Sequence, residues 1–256
     1  MDLSGHKNHA TASENTKKPK FISAESNKLP AIQFDGNDDY YDIGTNITTY
    51  TSYTAIVVEE RKRSKNSNYF MGQDGDKEKN KNLQLGYRND TTITLAHYDN
   101  DKDGGVRGTG NTDLSVFRFN KDNSPSHHIN YNGPLIIREQ GEPNGALSDS
   151  GNNYIGQANG KYYEGEIKEI IVFNQYIDDN KLRAITHYLA KKWGLEDSVD
   201  SDGDGVVDQE EEAKETSPIK QDTDGDGFID SVELANGSDP VDASSQPANI
   251  PEVIKE

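Results

Sequence analysis

The sequence predicts an all-β chain: an antiparallel jelly-roll sandwich with one C-terminal helix, followed by a small irregular module rich in acids. Three observations predict it. Short apolar segments recur between turn-forming residues from 30 to 173, with no helical period among them. One stretch, 179–192, has helical spacing. Beyond residue 196 the chain is strongly acidic and repeats itself.

Taking the elements in order, segments 31–34, 53–58, 83–87, 92–97, 114–119, 128–131, 135–138 and 166–173 read as strands. They are rich in β-branched and aromatic residues, which fit a pleated, half-buried surface. Asp35-Gly36-Asn37-Asp38, Arg88-Asn89-Asp90 and the polar stretch 141–153 separate them as turns and loops. Tyr131-Asn132-Gly133-Pro134-Leu135 is a hairpin signal, because Asn-Gly tolerates the positive φ of tight primed turns. The helix over 179–192 has Asp178 as N-cap and Leu182, Ile185, Leu189 and Trp193 on one face. Lys191 and Lys192 complement its C-terminal dipole and Gly194 stops it. Trp193 is expected as a core anchor that docks this helix on the sandwich.

The chain has 256 residues, 27 Lys+Arg and 45 Asp+Glu, a formal charge of −18. Residues 197–256 hold −15 of that charge and residues 1–196 only −3. Such an excess of acids argues against nucleic acid as a partner and against anionic membrane surfaces. No apolar run is long enough to span a bilayer, so membrane insertion is not expected. There is no cysteine, which excludes thiol chemistry, disulfides and thiolate-held zinc. The opening residues carry no basic segment followed by an apolar one, so no signal peptide is expected in this stretch.

Several segments resemble bacterial laminin G-like domains of the concanavalin A-like lectin/glucanase group. They are Asp2-Leu3-Ser4-Gly5-His6-Lys7-Asn8-His9-Ala10, the run 31–40 (AIQFDGNDDY), Tyr131-Asn132-Gly133, and the run 165–174 followed by the helix and its end at 188–195. The resemblance covers roughly 2–195 and implies two packed antiparallel sheets in a jelly roll. In that family the opening motif follows a Trp-containing stretch, so the resemblance also implies that this chain is a fragment of a longer, exported protein.

The sharpest chemistry lies in two segments offset by 22 residues, 200–211 (DSDGDGVVDQEE) and 222–233 (DTDGDGFIDSVE). Both fit the calcium-loop template D-x-[DN]-x-[DN]-G-x5-E. Calcium is hard and takes six to eight oxygens, which alternate carboxylates on a tight loop can supply. The ligands expected for the first loop are Asp200, Asp202, Asp204, Val206 through its carbonyl, Asp208 and Glu211. Those for the second are Asp222, Asp224, Asp226, Phe228 through its carbonyl, Asp230 and Glu233. Gly205 and Gly227 permit the turn that aims the next carbonyl inward. Without a cation the five carboxylates of each loop repel one another, so binding and ordering should be one event. A proline or glycine follows each loop too soon for the long helix of an EF-hand. The segment resembles thrombospondin type 3 repeats, which implies calcium as the core of the module, with ligands sometimes shared between repeats. The expected domains are therefore 1–195, the sandwich; 196–243, the calcium module; and 244–256, a linker leading to further domains of the parent chain.

Weaker constellations are few. Asp99-Asn100-Asp101-Lys102-Asp103-Gly104 starts like a calcium loop but has Arg107 and Gly110 where acids belong, so it reads as a polar loop. Glu164 and Glu166 share a strand face and are the carboxylates a glycosidase would use, if the fold were catalytic. His127 and His128 are adjacent and should face opposite ways. Candidate sugar-contacting aromatics are Tyr40, Tyr41, Tyr87, Tyr98, Tyr162 and Tyr163; one member of each adjacent pair should be core, and Tyr98 and Tyr163 are taken as the binding surface.

The function expected is non-enzymatic: a binding or adhesion module of an exported or cell-surface bacterial protein. It would recognise a glycan or an extracellular protein, with a calcium-stabilised spacer attached. A module of a polysaccharide-degrading enzyme and a purely structural stalk are the alternatives.

Overall fold

The computed structural model describes residues 2–23, 29–44, 46–139, 145–148 and 151–248. The end of the expected linker, 249–256, and part of the expected loop at 141–153 lie outside these residues.

Among the described residues, eleven strands come before residue 140: β1 (Lys20–Ile22), β2 (Ala31–Asp35), β3 (Tyr41–Asp42), β4 (Tyr53–Arg61), β5 (Asn68–Gln73), β6 (Gln84–Arg88), β7 (Thr92–Ala96), β8 (Asp101–Val106), β9 (Thr112–Phe119), β10 (His127–Tyr131) and β11 (Leu135–Glu139). Then follow β12 (Asn153–Ile155), β13 (Gln157–Ala158), β14 (Lys161–Tyr162), β15 (Glu164–Phe173) and three helices, α1 (Asp179–Trp193), α2 (Asp208–Lys214) and α3 (Asp230–Asn236). One sheet has the order β1-β2-β15-β4-β9-β10-β11 and the other β3-β12-β5-β6-β7-β8; β13 and β14 pair as a small ribbon. The pairings are antiparallel, with β15 lying between β2 and β4. This is the β-sandwich that the strand pattern predicts.

Two compact units make up the chain. Met1–Asn130 with Ile136–Ile177 forms the first, and Tyr131–Leu135 with Asp178–Glu256 forms the second.

The core of the first unit is aromatic and branched. Phe70 of β5 and Phe117 of β9 meet across the two sheets with ring centroids 5.4 Å apart. Phe34, Ile56, Met71, Leu83, Leu95, Val116 and Phe119 are almost wholly buried around them. Each such side chain stabilises by roughly 1.5–3 kcal/mol. Two histidines join this core. His97 Nε2 lies 2.7 Å from the Tyr53 hydroxyl, and burial lowers its pKa to about 4. His127 packs edge-on against His97 and Phe119, whereas His128 meets Tyr176, so the adjacent pair splits between faces as its strand position requires.

The hairpin signal is realised: β10 and β11 are neighbours, with Asn132 at φ 49 and Gly133 at φ 104 between them. The helix follows its sequence closely. Asp178 accepts from the Lys181 N–H at 3.0 Å, and Gly194 closes α1 at φ 66. Leu182 and Leu189 are buried; Trp193, expected as a core anchor, is only half-buried.

Two further differences have physical reasons. Residues 101–104, part of the stretch read as a polar loop, belong to the edge strand β8, which pairs Asp101 with Ala96 and Lys102 with Leu95. An edge strand needs its backbone, not an apolar face, and Arg88 steadies it by pairing with Asp101 at 2.6 Å. The acidic module is also less irregular than expected, since α2 and α3 each make two turns before a left-handed residue ends them.

Candidate metal centres

Both loops of the second unit are built in the same way. The first carboxylate folds the loop onto itself. Asp200 accepts from the N–H groups of Gly203 and Gly205 at 2.7 and 2.9 Å. Asp222 accepts from Gly225 and Gly227 at the same two distances. The next two carboxylates use one oxygen each on the loop backbone: Asp202 on Asp204 N–H and Asp204 on Val206 N–H, then Asp224 on Asp226 N–H and Asp226 on Phe228 N–H. Gly205 and Gly227 stand at φ 107 and 98, conformations that a side chain would strain.

Asp200, Asp202 and Asp204 each offer an oxygen to one cluster whose atoms lie within 4.8 Å of one another, and Asp222, Asp224 and Asp226 do the same. The chain could hold a metal ion at each. Glu211 and Glu233 project from the first turns of α2 and α3 and are fully buried. Among the described residues, each loop then keeps three buried carboxylate oxygens without a hydrogen-bond partner. In the first they are Asp202 Oδ2 and both oxygens of Glu211; in the second, Asp224 Oδ2, Asp226 Oδ2 and Glu233 Oε2. Buried anionic oxygens left this way are costly unless a cation meets them. Burial, reinforced by the charges of Asp204 and Asp200, pushes Asp202 up to about 7. Burial and the charge of Asp202 push Glu211 up to about 9, and burial pushes Glu233 up to about 7.

The position-nine carboxylates, expected as ligands, hydrogen-bond within their own loops. Asp208 is fully buried, yet its Oδ1 accepts from Ser201 N–H at 2.7 Å, and its Oδ2 from the Ser201 hydroxyl at 2.7 Å. His187 Nδ1 of α1 lies 2.8 Å from the same Oδ2. Asp230 accepts from Thr223 N–H and Oγ1 at 2.8 and 2.6 Å. These two aspartates brace their loops through the second loop residue and are not in the carboxylate clusters. The signal was present in the sequence: a hydroxyl residue stands at position two in both copies. Nothing comparable announced His187, which comes from α1.

Val206 and Phe228 are nearly buried directly after the loop glycines. The repeats also end alike, with Glu215 at φ 64 after α2 and Gly237 at φ 78 after α3. Asp200 N–H donates to the Asn132 carbonyl at 3.0 Å, and Gly133 sits so close that a Cβ there would fall 1.6 Å from the Asp200 carbonyl oxygen.

In the first unit Tyr163, expected on a binding surface, is fully buried. Its hydroxyl donates to Glu59, as does that of Tyr87, also buried. Tyr98 is half-buried at φ 38. Glu164 is paired with Arg63 at 2.6 Å and Glu166 with Lys62 at 3.0 Å. A third acidic group, Asp35, Asp38 and Asp39, spends its oxygens on a turn: Asp35 accepts from Asn37, and Asp39 from Asp35 N–H.

The two loops define repeats of a known class. A family model described as Bacterial TSP3 repeat matches residues 200–221 and 222–243. Among solved structures, a GH54 α-L-arabinofuranosidase soaked with a cyclic sulfate inhibitor is similar over 64% of this chain and 42% of its own, at 13% identity and a TM-score of 0.50. Domain 4 of AbnA, an extracellular GH43 arabinanase from Geobacillus stearothermophilus in complex with arabinotriose, is similar over 63% of this chain and 77% of its own, at 14% identity and 0.48. The CBM40 of a Ruminococcus gnavus sialidase, bound to α2,3-sialyllactose, is similar over 61% and 96%, at 17% and 0.48. The first of these likenesses is one of fold. A comparison with curated proteins finds no match. No described helix is long and apolar enough to cross a membrane.

Proposed function

We propose that the chain is a non-catalytic recognition module: a laminin G-like sandwich that binds a glycan or a surface partner, joined to a calcium-held spacer in a protein that works outside the cell. The observation that carries the reading is the set of three buried, unpartnered carboxylate oxygens in each loop. Asp200, Asp202, Asp204 and Glu211 would hold one ion with the Val206 carbonyl. Asp222, Asp224, Asp226 and Glu233 would hold the other with the Phe228 carbonyl. All of these donors are oxygens, as a hard cation requires, and no softer ligand stands in either loop. The ion supplies the positive charge that lets buried carboxylates ionise together. Extracellular calcium modules of this kind work at millimolar calcium, which supports a location outside the cell.

The non-catalytic reading is supported by Glu164 and Glu166, each paired with a cation just after β4, Arg63 and Lys62 respectively. Calorimetric titration tests the proposal. Calcium should bind once per loop, and chelator should loosen 197–243 while the sandwich stays folded. No uptake at millimolar calcium sinks the spacer reading. Release of reducing ends from a polysaccharide sinks the non-catalytic one.

A further inference from the structure

Three tyrosines from separate segments meet at one place on the sandwich unit. Tyr40 precedes β3, Tyr154 lies in β12 and Tyr162 in β14. The rings of Tyr40 and Tyr154 are 5.7 Å apart and near perpendicular, at 77°. Those of Tyr40 and Tyr162 are 6.3 Å apart and tilted by 39°. All three are half-buried. Their chain neighbours Tyr41, half-buried, and Tyr163, fully buried, both pack edge-on against Phe34, at 6.3 and 6.0 Å. Tyr40, Tyr154 and Tyr162 are left as a cluster whose edges reach solvent.

The rim of the cluster is polar and of mixed character. Ser13 Oγ is 3.1 Å from the Tyr40 hydroxyl. The Lys17 ammonium is held by Glu14 at 2.9 Å and lies within the electrostatic reach of the Tyr40 and Tyr162 phenols. Asp42 and Asp74 act in the same way on the phenol of Tyr154, whose pKa burial raises first. A sugar ring offers a C–H face and outward hydroxyls. Aromatic rings cover the first, and hydroxyl, carboxylate and ammonium groups replace water on the second. Lys17 is paired with Glu14, Lys65 Nζ donates to the Tyr162 carbonyl at 2.9 Å, and Asp42 and Asp74 lie near Tyr154, so both signs stand about the cluster and no excess of positive charge draws an anionic sugar.

We propose that Tyr40, Tyr154 and Tyr162 form the floor of a binding site for a neutral saccharide. This inference rests on the recognition-module reading and gives that module its site and ligand class.

The test measures binding of cellotriose, mannotriose, xylotriose and galactobiose to the full chain in calcium. Sialyllactose and trigalacturonate serve as anionic counterparts, and a peptide rich in tyrosine and tryptophan as the protein-like probe. At least one neutral sugar should bind, and Tyr40→Ala and Tyr162→Ala should each weaken it about tenfold. Tyr188→Ala, at an exposed tyrosine of α1, should leave it unchanged. Should an alanine variant fail to fold, Tyr162→Trp keeps a ring in place, and the indole emission of that variant should shift when the sugar binds. Neutral-sugar binding that ignores the tyrosine variants, or that leaves the emission of Tyr162→Trp unmoved, overturns this site and leaves the module reading standing. Binding of the anionic sugars or the peptide alone overturns the ligand class. No binding of any probe overturns the site and the glycan reading together.

Discussion

Ser231 completes the first loop from the second repeat. Its backbone N–H donates to Asp204 Oδ2 at 2.9 Å, and its hydroxyl donates to the Asp204 carbonyl oxygen at 2.6 Å. Gln221 adds a third bond, from its amide to the Asp202 carbonyl at 2.9 Å. The equivalent oxygen of the second loop, Asp226 Oδ2, has no partner among the described residues. The two loops are thus alike in pattern and unequal in support.

Ser231→Ala removes the hydroxyl bond and keeps the N–H bond. Cation affinity should fall about fivefold at one site, the first, and hold at the other. Calorimetry resolves the two sites. Equal loss at both would contradict the relationship.

Gly133→Ala sets a Cβ against the Asp200 carbonyl, at a φ of 104 that alanine avoids. The backbone has to move, at a cost of about 2 kcal/mol or more. Thermal melting should show the loss, and cation binding at the first loop should weaken with it. Unchanged melting and binding would mean that the turn and the loop are not in contact in solution.

Cation uptake should release protons. In the cation-free fold Asp202 and Glu233 titrate near 7 and Glu211 near 9, all raised by burial. A cation must displace those protons, so affinity should fall as the pH drops from 9 toward 6. Titration in two buffers of different ionisation enthalpy measures the number released. An identical heat in both buffers at pH 7 would count against the arrangement.

Glu59 gives the sandwich its own pH signature. It is fully buried with Tyr87 Oη at 2.5 Å, and burial raises its pKa to about 7, with Asp113 adding to the rise and Arg61 opposing it. A carboxyl raised in the fold ionises first in the unfolded chain. Stability should therefore fall as pH climbs from about 4.5 to about 7, then level off. Glu59→Gln should remove that slope in denaturant melts. Glu59→Ala should cost about 2–4 kcal/mol, because two buried phenols lose their acceptor.

How much was legible depended on how local the signal was. The cation loops are written within twelve residues each, so their carboxylates could be named from spacing alone. The brace from position two to position nine is equally local, a hydroxyl residue bonding an aspartate seven residues on, but an acid in a metal template is read first as a ligand. The alternation of Tyr162 and Tyr163 was also readable, but not its phase: β15 begins at Glu164 and carries Tyr163 into the core. Tyr154 could not have been found, since it meets Tyr40 only through the pairing of β3 with β12. Strand β8 was hidden by its composition, because an edge strand is defined by a neighbour's backbone and Asp-Lys-Asp-Gly-Gly-Val has no alternation to show.

The ends of the two short helices differ in one residue type. At the left-handed position the second repeat has Gly237, while the first has Glu215, where the side chain costs about 1 kcal/mol. The first repeat therefore carries a standing handicap that its twin does not. A designer seeking a hardier tail would begin with Glu215→Gly, a change that touches neither carboxylate cluster.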